Sequence, residues 1–204
     1  MAKVTMVVVT IAAALLLAAC TATASAPEAT PEPTPSAPRE GAVDAHSAEL
    51  VPVVPIAEPT LIEIPSAGIS MVVRAVGVQA DGLMELPEET AVAGWYRFGP
   101  APGSESGTTV LASHVDSLEY GIGPFAALRN LVAGSEITVT DSSGTLHRYG
   151  VTSVSSVQKQ QLPVADLFDR VGPRRLVLIT CGGQFDYSTL SYSDNIVVIA
   201  EPLP

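Results

Sequence analysis

The sequence predicts a mainly β domain, because short apolar strands recur along it and helical segments are few. From position 55 to residue 204, runs rich in valine, isoleucine and threonine alternate with turns that contain glycine, proline or aspartate. Helical character is confined to two short segments, around residues 124–131 and 163–168. Seven or more short strands with so few helices favour a closed barrel or a sandwich.

Seven apolar runs, each bounded by turn-forming residues, mark the predicted strands. They lie at residues 61–64, 69–76, 108–112, 136–140, 146–151, 176–180 and 196–200. A turn at Asp81-Gly82 follows the second run. The fourth and fifth are expected to form a hairpin, because Asp141-Ser142-Ser143-Gly144 lies between them. The first helical segment has Pro124 near its first turn, where proline is favoured.

The beginning of the chain has the layout of a secretory leader. One positive charge at Lys3 precedes the apolar run 4–19, which is shorter than the about 20 residues that a membrane-spanning helix needs. Leu17-Ala18-Ala19-Cys20 then resembles a bacterial lipobox, in which the cysteine becomes the lipidated first residue. We therefore expect a signal peptide over residues 1–19 and a lipid anchor at Cys20. The alternative is an uncleaved signal anchor, and both place the protein on the outer side of a membrane.

Residues 20–54 are expected to form a lipid-anchored, proline-rich linker without a fold of its own. The stretch 26–38 is rich in proline, alanine and acid and offers little to bury. Proline at this density favours extended polyproline II, which at about 3.1 Å per residue would let the linker reach on the order of 100 Å. His46 is expected to be a solvated linker residue. The folded domain is expected over residues 55–204.

Charge and cysteine content narrow the possible functions. With 21 acidic and 10 basic residues, the net charge of −11 disfavours nucleic acid and anionic lipid headgroups as partners. The length that remains after the leader suits one domain. The chain has two cysteines, and lipidation of Cys20 would leave Cys181 without a disulfide partner. An unpaired thiol in an exported protein suggests a chemical role.

Cys181 is the candidate nucleophile. It closes the apolar run 176–180, and Gly182-Gly183 follow it, so a thiol at the exit of a strand would be open to an extended substrate. The alternative is a small buried hydrophobe. His114 follows the strand predicted at 108–112, and histidine is the usual base for a cysteine nucleophile. The two residues are 67 positions apart, so they can meet only if the fold brings two strand ends together.

Five sequence blocks occur in the order found in sortases, and the chain resembles that family over residues 60–200. The blocks are Gly94-Trp95-Tyr96 with Gly99-Pro100-Ala101-Pro102-Gly103, Ala112-Ser113-His114-Val115-Asp116-Ser117, Phe125–Leu131 with Gly134, Leu178-Ile179-Thr180-Cys181-Gly182-Gly183-Gln184-Phe185-Asp186, and Tyr192-Ser193-Asp194-Asn195-Ile196-Val197-Val198. The chain looks most like the actinobacterial class E/F type. The resemblance implies an eight-stranded β-barrel with short helices and a cysteine transpeptidase, with Cys181 as nucleophile and His114 as general acid/base.

The resemblance also implies a reaction and its partners. Cys181 would cleave an LPXTG-like sorting signal between threonine and glycine on a secreted protein. An amine of a peptidoglycan precursor or a pilin lysine would then resolve the thioester, or water would release the protein. The family needs no metal or organic cofactor for this chemistry. The lipid-anchored enzyme would work at the extracytoplasmic face of the bacterial membrane and reach into the cell wall.

One departure from the family pattern concerns an arginine. Sortases generally carry one on the strand after the cysteine, and the matching stretch 191–196 contains none. Asn195 is the candidate oxyanion donor in its place, and Ser193 is a weaker one. Arg97 and Arg129 are further candidates from other loops, although each is better interpreted as a surface residue.

The remaining candidates have structural interpretations. Trp95 and Tyr96 are expected to pack in the core or at the rim beside the cleft. Asp116 either orients His114 or turns its loop. His147 is expected on the surface of a hairpin strand. No cluster of histidine, cysteine, aspartate or glutamate has the spacing of a metal site, so no metal is expected.

Two other functions fit parts of the pattern. Peptidoglycan L,D-transpeptidases also pair a cysteine with a histidine in an exported β-rich domain, but their Ser-His-Gly-Cys type of block is missing from this sequence. The second alternative is a non-catalytic or hydrolysis-only lipoprotein that binds a peptide or a cell-wall component. The missing arginine favours it, whereas His114 and Cys181 argue against it.

Overall fold

The computed structural model describes residues 57–204, which contain ten strands, three short 3₁₀ helices and one short α-helix. The strands are β1 (Pro59–Ile64), β2 (Ile69–Val76), β3 (Val92–Tyr96), β4 (Thr108–Ala112), β5 (Asp116–Ser117), β6 (Gly121–Ile122), β7 (Glu136–Asp141), β8 (Leu146–Gln158), β9 (Arg175–Asp186) and β10 (Ser191–Pro202). The 3₁₀ helices are Pro65–Ala67, Pro124–Asn130 and Lys159–Gln161, and α1 is Val164–Leu167. The predicted signal peptide, lipid anchor and linker lie outside the described residues, as does the predicted domain start at residue 55. Within residues 57–204, no helix is long and apolar enough to cross a membrane.

Eight of the strands close into a barrel. Their order is β1-β2-β3-β4-β9-β10-β8-β7, and β7 pairs with β1 to complete the ring. The pairs β2–β3 and β4–β9 are parallel, and the other neighbouring pairs are antiparallel. β5 and β6 form a separate two-stranded sheet. The predicted mainly β fold, a closed barrel of about eight strands with a few short helices, is therefore confirmed.

The barrel interior is one apolar cluster to which all eight strands contribute. Trp95, fully buried on β3, lies in this cluster, and Phe125 and Leu128 of the 3₁₀ helix 124–130 join it. Successive side chains of a strand point to opposite faces. On β9, Leu176 and Leu178 accordingly belong to the interior cluster, whereas Val177 and Ile179 pack in a second cluster with Leu167 of α1. This burial on both faces explains why an unbroken apolar run follows Arg175, the first residue of β9.

Three strands are longer than the apolar runs that predict them. The run 176–180 covers only the first part of β9, which continues to Asp186, and β8 and β10 are extended in the same way. The added segments contain serine, glutamine and glycine, which local propensity does not place in strands. They are strands because β10 pairs with β8 on one side and β9 on the other. β3 escapes prediction because Gly94 interrupts it, and its parallel pairing with β2 holds it extended.

The hairpin between β7 and β8 forms as predicted, but His147 is not a surface residue. Its side chain is 17% exposed, and its Nε2 lies 2.7 Å from Oδ2 of the buried Asp141. Burial raises the pKa of Asp141, but hydrogen bonds from Ser143, His147 and the backbone of Thr145 outweigh it and bring the pKa down to about 2. The expectation failed because the loop at Gly103 covers this ring: a Cβ added at Gly103 would lie 2.5 Å from His147 Cε1.

Candidate active site

Cys181 and His114 line one cavity of about 580 Å³. Asp116, Lys159 and Tyr192 supply further polar groups to its wall. The structure therefore brings together the two residues that the sequence singles out, although 67 positions separate them.

The parallel pairing of β4 with β9 is what brings His114 and Cys181 together. Each residue of β4 pairs with the residue 67 positions further along, from Thr108 with Arg175 to Ala112 with Ile179. Two more steps in the same register lead to His114 and Cys181. The spacing of the two residues in the sequence is thus the register of this ladder.

Two buried hydroxyl groups hold the chain immediately before the two candidate residues. Thr180 Oγ1 donates to the carbonyl of Ser113 at 2.8 Å, and Ser113 Oγ donates to the carbonyl of Val92 at 2.9 Å. Ser113 is 1% exposed and Thr180 is 3% exposed. Because a buried hydroxyl that lacks a partner is costly, threonine and serine are suited to these positions only with these bonds in place. The segment that leads into His114 is thereby tied to both β3 and β9.

Cys181 does not stand at the exit of a strand, contrary to the sequence-based expectation. β9 runs through it to Asp186, and Cys181 pairs with Asn195 of β10. The two glycines that follow Cys181 leave room for the neighbouring strand β10. A Cβ at Gly182 would lie 2.7 Å from Ile196 Cδ1, and one at Gly183 would lie 2.8 Å from Asp194 Cγ, where φ is also +75°. The close approach of β10 therefore favours glycine at both positions.

The surroundings of the Cys181 sulfur push its ionisation in opposite directions. Burial raises the pKa of the Cys181 thiol, the neighbouring Lys159 lowers it, and the charge of Asp116 raises it. The net result is a raised pKa. Lys159 Nζ also donates to Ser191 Oγ at 2.9 Å, which holds the ammonium at the cavity wall.

Asp116 contacts a tyrosine instead of His114. Its Oδ2 accepts a hydrogen bond of 2.5 Å from the hydroxyl of Tyr192, and the hydrogen bonds described for residues 57–204 include none between His114 and Asp116. The bond to Asp116 raises the pKa of Tyr192 to about 12. Asp116 thus connects the loop after β4 with β10 across the cavity.

The four residues considered as replacements for an arginine do not line the cavity. Asn195 faces Cys181 in the ladder, and Ser193 Oγ accepts from the backbone N–H of Gln184 at 3.1 Å. Arg97 lies over the ring of Phe98 at 5.0 Å. Arg129 Nε donates to a backbone carbonyl of its own 3₁₀ helix, that of Ala126 at 3.1 Å.

Lys159 is the cavity residue that sequence inspection misses. It belongs to no motif, and it begins the 3₁₀ helix Lys159–Gln161 directly after β8. Its position follows from register alone: Val157 of β8 pairs with Asn195, and Asn195 pairs with Cys181. Only the order β8-β10-β9 in the barrel, which no local pattern encodes, could have pointed to it.

Exposed apolar side chains surround the mouth of the cavity. Leu118, Tyr187 and Leu190 are largely exposed there, and Phe185 contacts the rings of Tyr187 and Tyr192, each at 5.0 Å between centroids. A cluster of exposed apolar groups beside a cleft is typical of a binding site. The arrangement is suited to a ligand that carries apolar groups.

Trp95 and Tyr96 have packing positions, and neither lines the cavity. Trp95 is 1% exposed, and its Nε1 donates to the carbonyl of Pro100 at 3.2 Å. Tyr96 packs edge-on against Phe168 at 5.1 Å. Both residues therefore support the barrel, as the sequence indicated. Residues 57–204 contain no group of three or more histidine, cysteine, aspartate or glutamate side chains placed to hold a metal ion.

The domain that carries this site is similar to known proteins. The family model described as "Sortase domain" matches residues 62–203. No curated protein matches the chain in sequence. Similar solved structures include sortase C-1 from Actinomyces oris, with 24% identity, a TM-score of 0.54 and coverage of 71% of this chain and 73% of that one. Sortase A from Listeria monocytogenes has 19% identity, a TM-score of 0.52 and coverage of 74% of this chain and 89% of that one. Sortase C1 from Streptococcus suis has 18% identity, a TM-score of 0.53 and coverage of 72% of this chain and 74% of that one. At these identities the likeness shows the shared fold.

Proposed function

This chain belongs to the sortase family of cysteine transpeptidases, and we propose that it cleaves an LPXTG-like sorting signal between threonine and glycine through a thioester on Cys181. The observation that carries the proposal is the placement of Cys181 and His114 in one cavity by the register of β4 and β9. A cysteine nucleophile needs a neighbouring acid/base, and histidine serves in that role.

In the first step, the Cys181 thiolate attacks the carbonyl carbon of the threonine. The C–S bond forms while the carbonyl π electrons move to oxygen, which gives a tetrahedral oxyanion. When the oxyanion collapses, the C–N bond breaks, and His114 as imidazolium gives its proton to the leaving amine. The threonine is then held as a thioester, and His114 is neutral and ready to act as a base.

In the second step, an amine attacks the thioester carbonyl, and His114 accepts the proton that the amine loses. The C–S bond breaks, the Cys181 thiolate is restored, and the substrate protein is joined to the acceptor by a new amide bond. We propose an amine of a peptidoglycan precursor or a pilin lysine as acceptor. Water in the same place would give hydrolysis and a released protein.

Asn195 is proposed as a side-chain donor to the oxyanion. It does not itself line the cavity, but it lies directly opposite Cys181 in the antiparallel ladder of β9 and β10. Side chains of such a pair emerge on the same face of the sheet, with Cβ atoms about 4.5–5.5 Å apart. An amide N–H at that separation can reach an oxygen bound next to the sulfur.

The proposed location follows from the family and from the start of the chain. Sortases are extracytoplasmic enzymes of the cell surface, and we propose that residues 1–19 are the signal peptide that exports this chain. Cys20 would carry the lipid anchor and residues 20–54 would form the linker, so the catalytic domain from residue 55 could reach into the cell wall. The assignment to the class E/F type also stays a proposal.

The decisive experiment is mass spectrometry of the protein after incubation with a panel of sorting peptides. We expect an adduct on Cys181 with the mass of the peptide up to its threonine, and transfer of that fragment when an amine is added. Hydrolysis without transfer at saturating amine would favour a hydrolysis-only enzyme. Failure to form any adduct with the whole panel would contradict the proposed reaction.

A further inference from the structure

Beyond the residues proposed for the reaction, we infer that Lys159 is a further catalytic residue, whose ammonium shares the cavity with the Cys181 sulfur and stabilises the thiolate. The inference rests on the proposed function of Cys181 as nucleophile. Lys159 and Cys181 line the same cavity. Among the described residues that line it, Lys159 is the one lysine or arginine.

The fold places Lys159 beside Cys181 through two strand pairings. Val157 near the end of β8 pairs with Asn195 of β10, and Asn195 pairs with Cys181 of β9. Lys159 comes two residues after Val157, where the 3₁₀ helix Lys159–Gln161 begins. A line across three neighbouring strands therefore leads from the sulfur to the segment that carries the ammonium.

A hydrogen bond fixes the ammonium at the cavity. Lys159 Nζ donates to Ser191 Oγ at 2.9 Å, and Ser191 Oγ donates in turn to the carbonyl of Tyr192 at 3.3 Å. The side chain is half-buried, which limits its freedom to turn away into solvent. An ammonium has three N–H donors, so two are left for the sulfur and for a bound substrate.

The charges around the sulfur explain why a cation is needed there. His114, Asp116, Lys159 and Tyr192 are the titratable groups that line the cavity with Cys181, apart from the exposed Tyr187 at its mouth. Asp116 is negative and disfavours a second negative charge, and burial of the sulfur acts in the same direction. Lys159 acts in the opposite direction and offsets part of this penalty, although the pKa of the thiol stays raised. An opposite charge within about 4–6 Å lowers the pKa of a group that becomes an anion, typically by about 1–3 units.

The step that Lys159 assists is the loss of the thiol proton. The S–H bond breaks, its electron pair stays on sulfur, and the proton passes to His114, which becomes the imidazolium needed for the leaving amine. Lys159 keeps its own proton throughout and contributes only its charge and its N–H groups. Its role therefore differs from that of His114, which gives and accepts protons.

The test measures the rate at which iodoacetamide alkylates Cys181 as a function of pH in the full-length protein. Mass spectrometry of the peptide that contains Cys181 separates its labelling from that of Cys20. Lys159→Met keeps most of the apolar stem but removes the charge, and we expect it to move the midpoint of the profile upward by about 1 pH unit or more. Lys159→Arg keeps the charge and should retain a midpoint near that of the wild type.

Arg97→Gln is the matched control, because it changes the net charge equally at a site that does not line the cavity. We expect its profile to coincide with that of the wild type. An unchanged midpoint in Lys159→Met, or an equal shift in Arg97→Gln, would overturn the inference. A thermal melt of each variant shows that the fold is intact.

The alkylation assay separates this inference from the proposed function, because it needs no sorting peptide. A shifted midpoint together with no cleavage of any peptide would support the role of Lys159 at the thiol and contradict the proposed reaction. Peptide cleavage together with an unshifted midpoint would support the proposed reaction and contradict the role of Lys159.

Discussion

Thr180 Oγ1 donates a buried hydrogen bond of 2.8 Å to the carbonyl of Ser113, one residue before Cys181 and His114 on their respective segments. The backbone N–H of Ser113 donates in turn to the carbonyl of Ile179 at 3.2 Å. These two bonds continue the connection between β4 and β9 beyond the end of their ladder. The separation of Cys181 and His114 is therefore set by strand pairing and by the side chain of Thr180, which is neither the proposed nucleophile nor the proposed acid/base.

Loss of the buried hydrogen bond from Thr180 should lower the stability of the domain. In Thr180→Val the carbonyl of Ser113 loses its donor, and we expect the free energy of unfolding to fall by about 1–3 kcal/mol. Urea denaturation measures this change. Thr60→Val is the control, because Thr60 Oγ1 donates to the carbonyl of Thr140 at an exposed position, where water can replace it. Equal losses in the two variants would show that burial of the bond does not matter.

Cys181→Ala should abolish cleavage of every sorting peptide, because no other side chain is proposed to form the thioester. His114→Ala should lower the rate of cleavage by about 10²–10⁴-fold, the usual contribution of one general acid/base. A peptide with a fluorophore and a quencher on either side of the scissile bond reports the rate. Both variants should melt as the wild type does, since neither side chain belongs to the apolar clusters. Residual cleavage by Cys181→Ala would rule out the thioester mechanism.

Asn195→Ala tests the proposed oxyanion donor. We expect the rate of peptide cleavage to fall by about 10²–10³-fold, as for removal of one such donor elsewhere, while the affinity for the peptide changes little. Single-turnover kinetics at saturating peptide separate the chemical step from binding. Ser193→Ala tests the weaker candidate on the same strand, and an equally large loss there would contradict the assignment of the donor to Asn195 alone.

Gly183→Ala should lower thermal stability by more than the cost of its left-handed backbone conformation alone. An added Cβ would meet Asp194 Cγ at 2.8 Å, and φ at this glycine is +75°. Gly144 has a similar φ of +84°, but an added Cβ there meets nothing within 4 Å. Gly144→Ala therefore measures the cost of the left-handed conformation, about 1 kcal/mol. Thermal melts of both variants should show the larger loss for Gly183→Ala, and equal losses would refute the proposed close approach of β10.

The buried Asp141 should make the domain sensitive to acid. Its pKa in the folded protein is about 2, below the ordinary value of 3.8. The ionised carboxylate therefore stabilises the fold fully above about pH 4, and this contribution, about 2 kcal/mol from the size of the difference, disappears as the pH falls toward 2. The free energy of unfolding should drop less between pH 5 and pH 2 in Asp141→Asn than in the wild type. Parallel curves for the two proteins would contradict the assignment.

The lipid anchor can be tested at the first residue of the mature protein. If Cys20 is the lipidated residue, Cys20→Ala should prevent both lipidation and signal cleavage at that position. Mass spectrometry of the N-terminal peptide from membranes distinguishes the two forms. An intact N-terminus that begins at Met1 in the wild-type protein would favour an uncleaved signal anchor instead.

The sequence predicts those strands whose own residues form an apolar pattern and are buried. The apolar run at 176–180 reveals β9 because both of its faces are covered, and β2 is predicted from Ile69 to Val76, its observed bounds. β3 and the polar second half of β8 are held by their neighbours, so their own residues give no signal. Prediction succeeded for strands whose own apolar residues are buried. It failed for strands that are held extended by pairing with their neighbours in the barrel.

The same distinction applies to the candidate site. Cys181 and His114 are visible in the sequence because each follows an apolar strand within a recognisable block. Lys159 has no such context, since its nearness to the sulfur depends on the order of three strands. The partner of Asp116 was equally hidden, because Tyr192 lies 76 residues away and meets it only across the cavity.

The hydrogen bond between Asp116 and Tyr192 has a consequence for substrate affinity. It joins the two walls of the cavity before any peptide arrives, because one partner follows β4 and the other lies on β10. An opening whose width is already set need not be ordered by its ligand, so less binding free energy is lost to conformational entropy. A peptide that fits this width would be selected by shape at the moment of encounter, whereas a bulkier one would first have to break a charge-assisted bond.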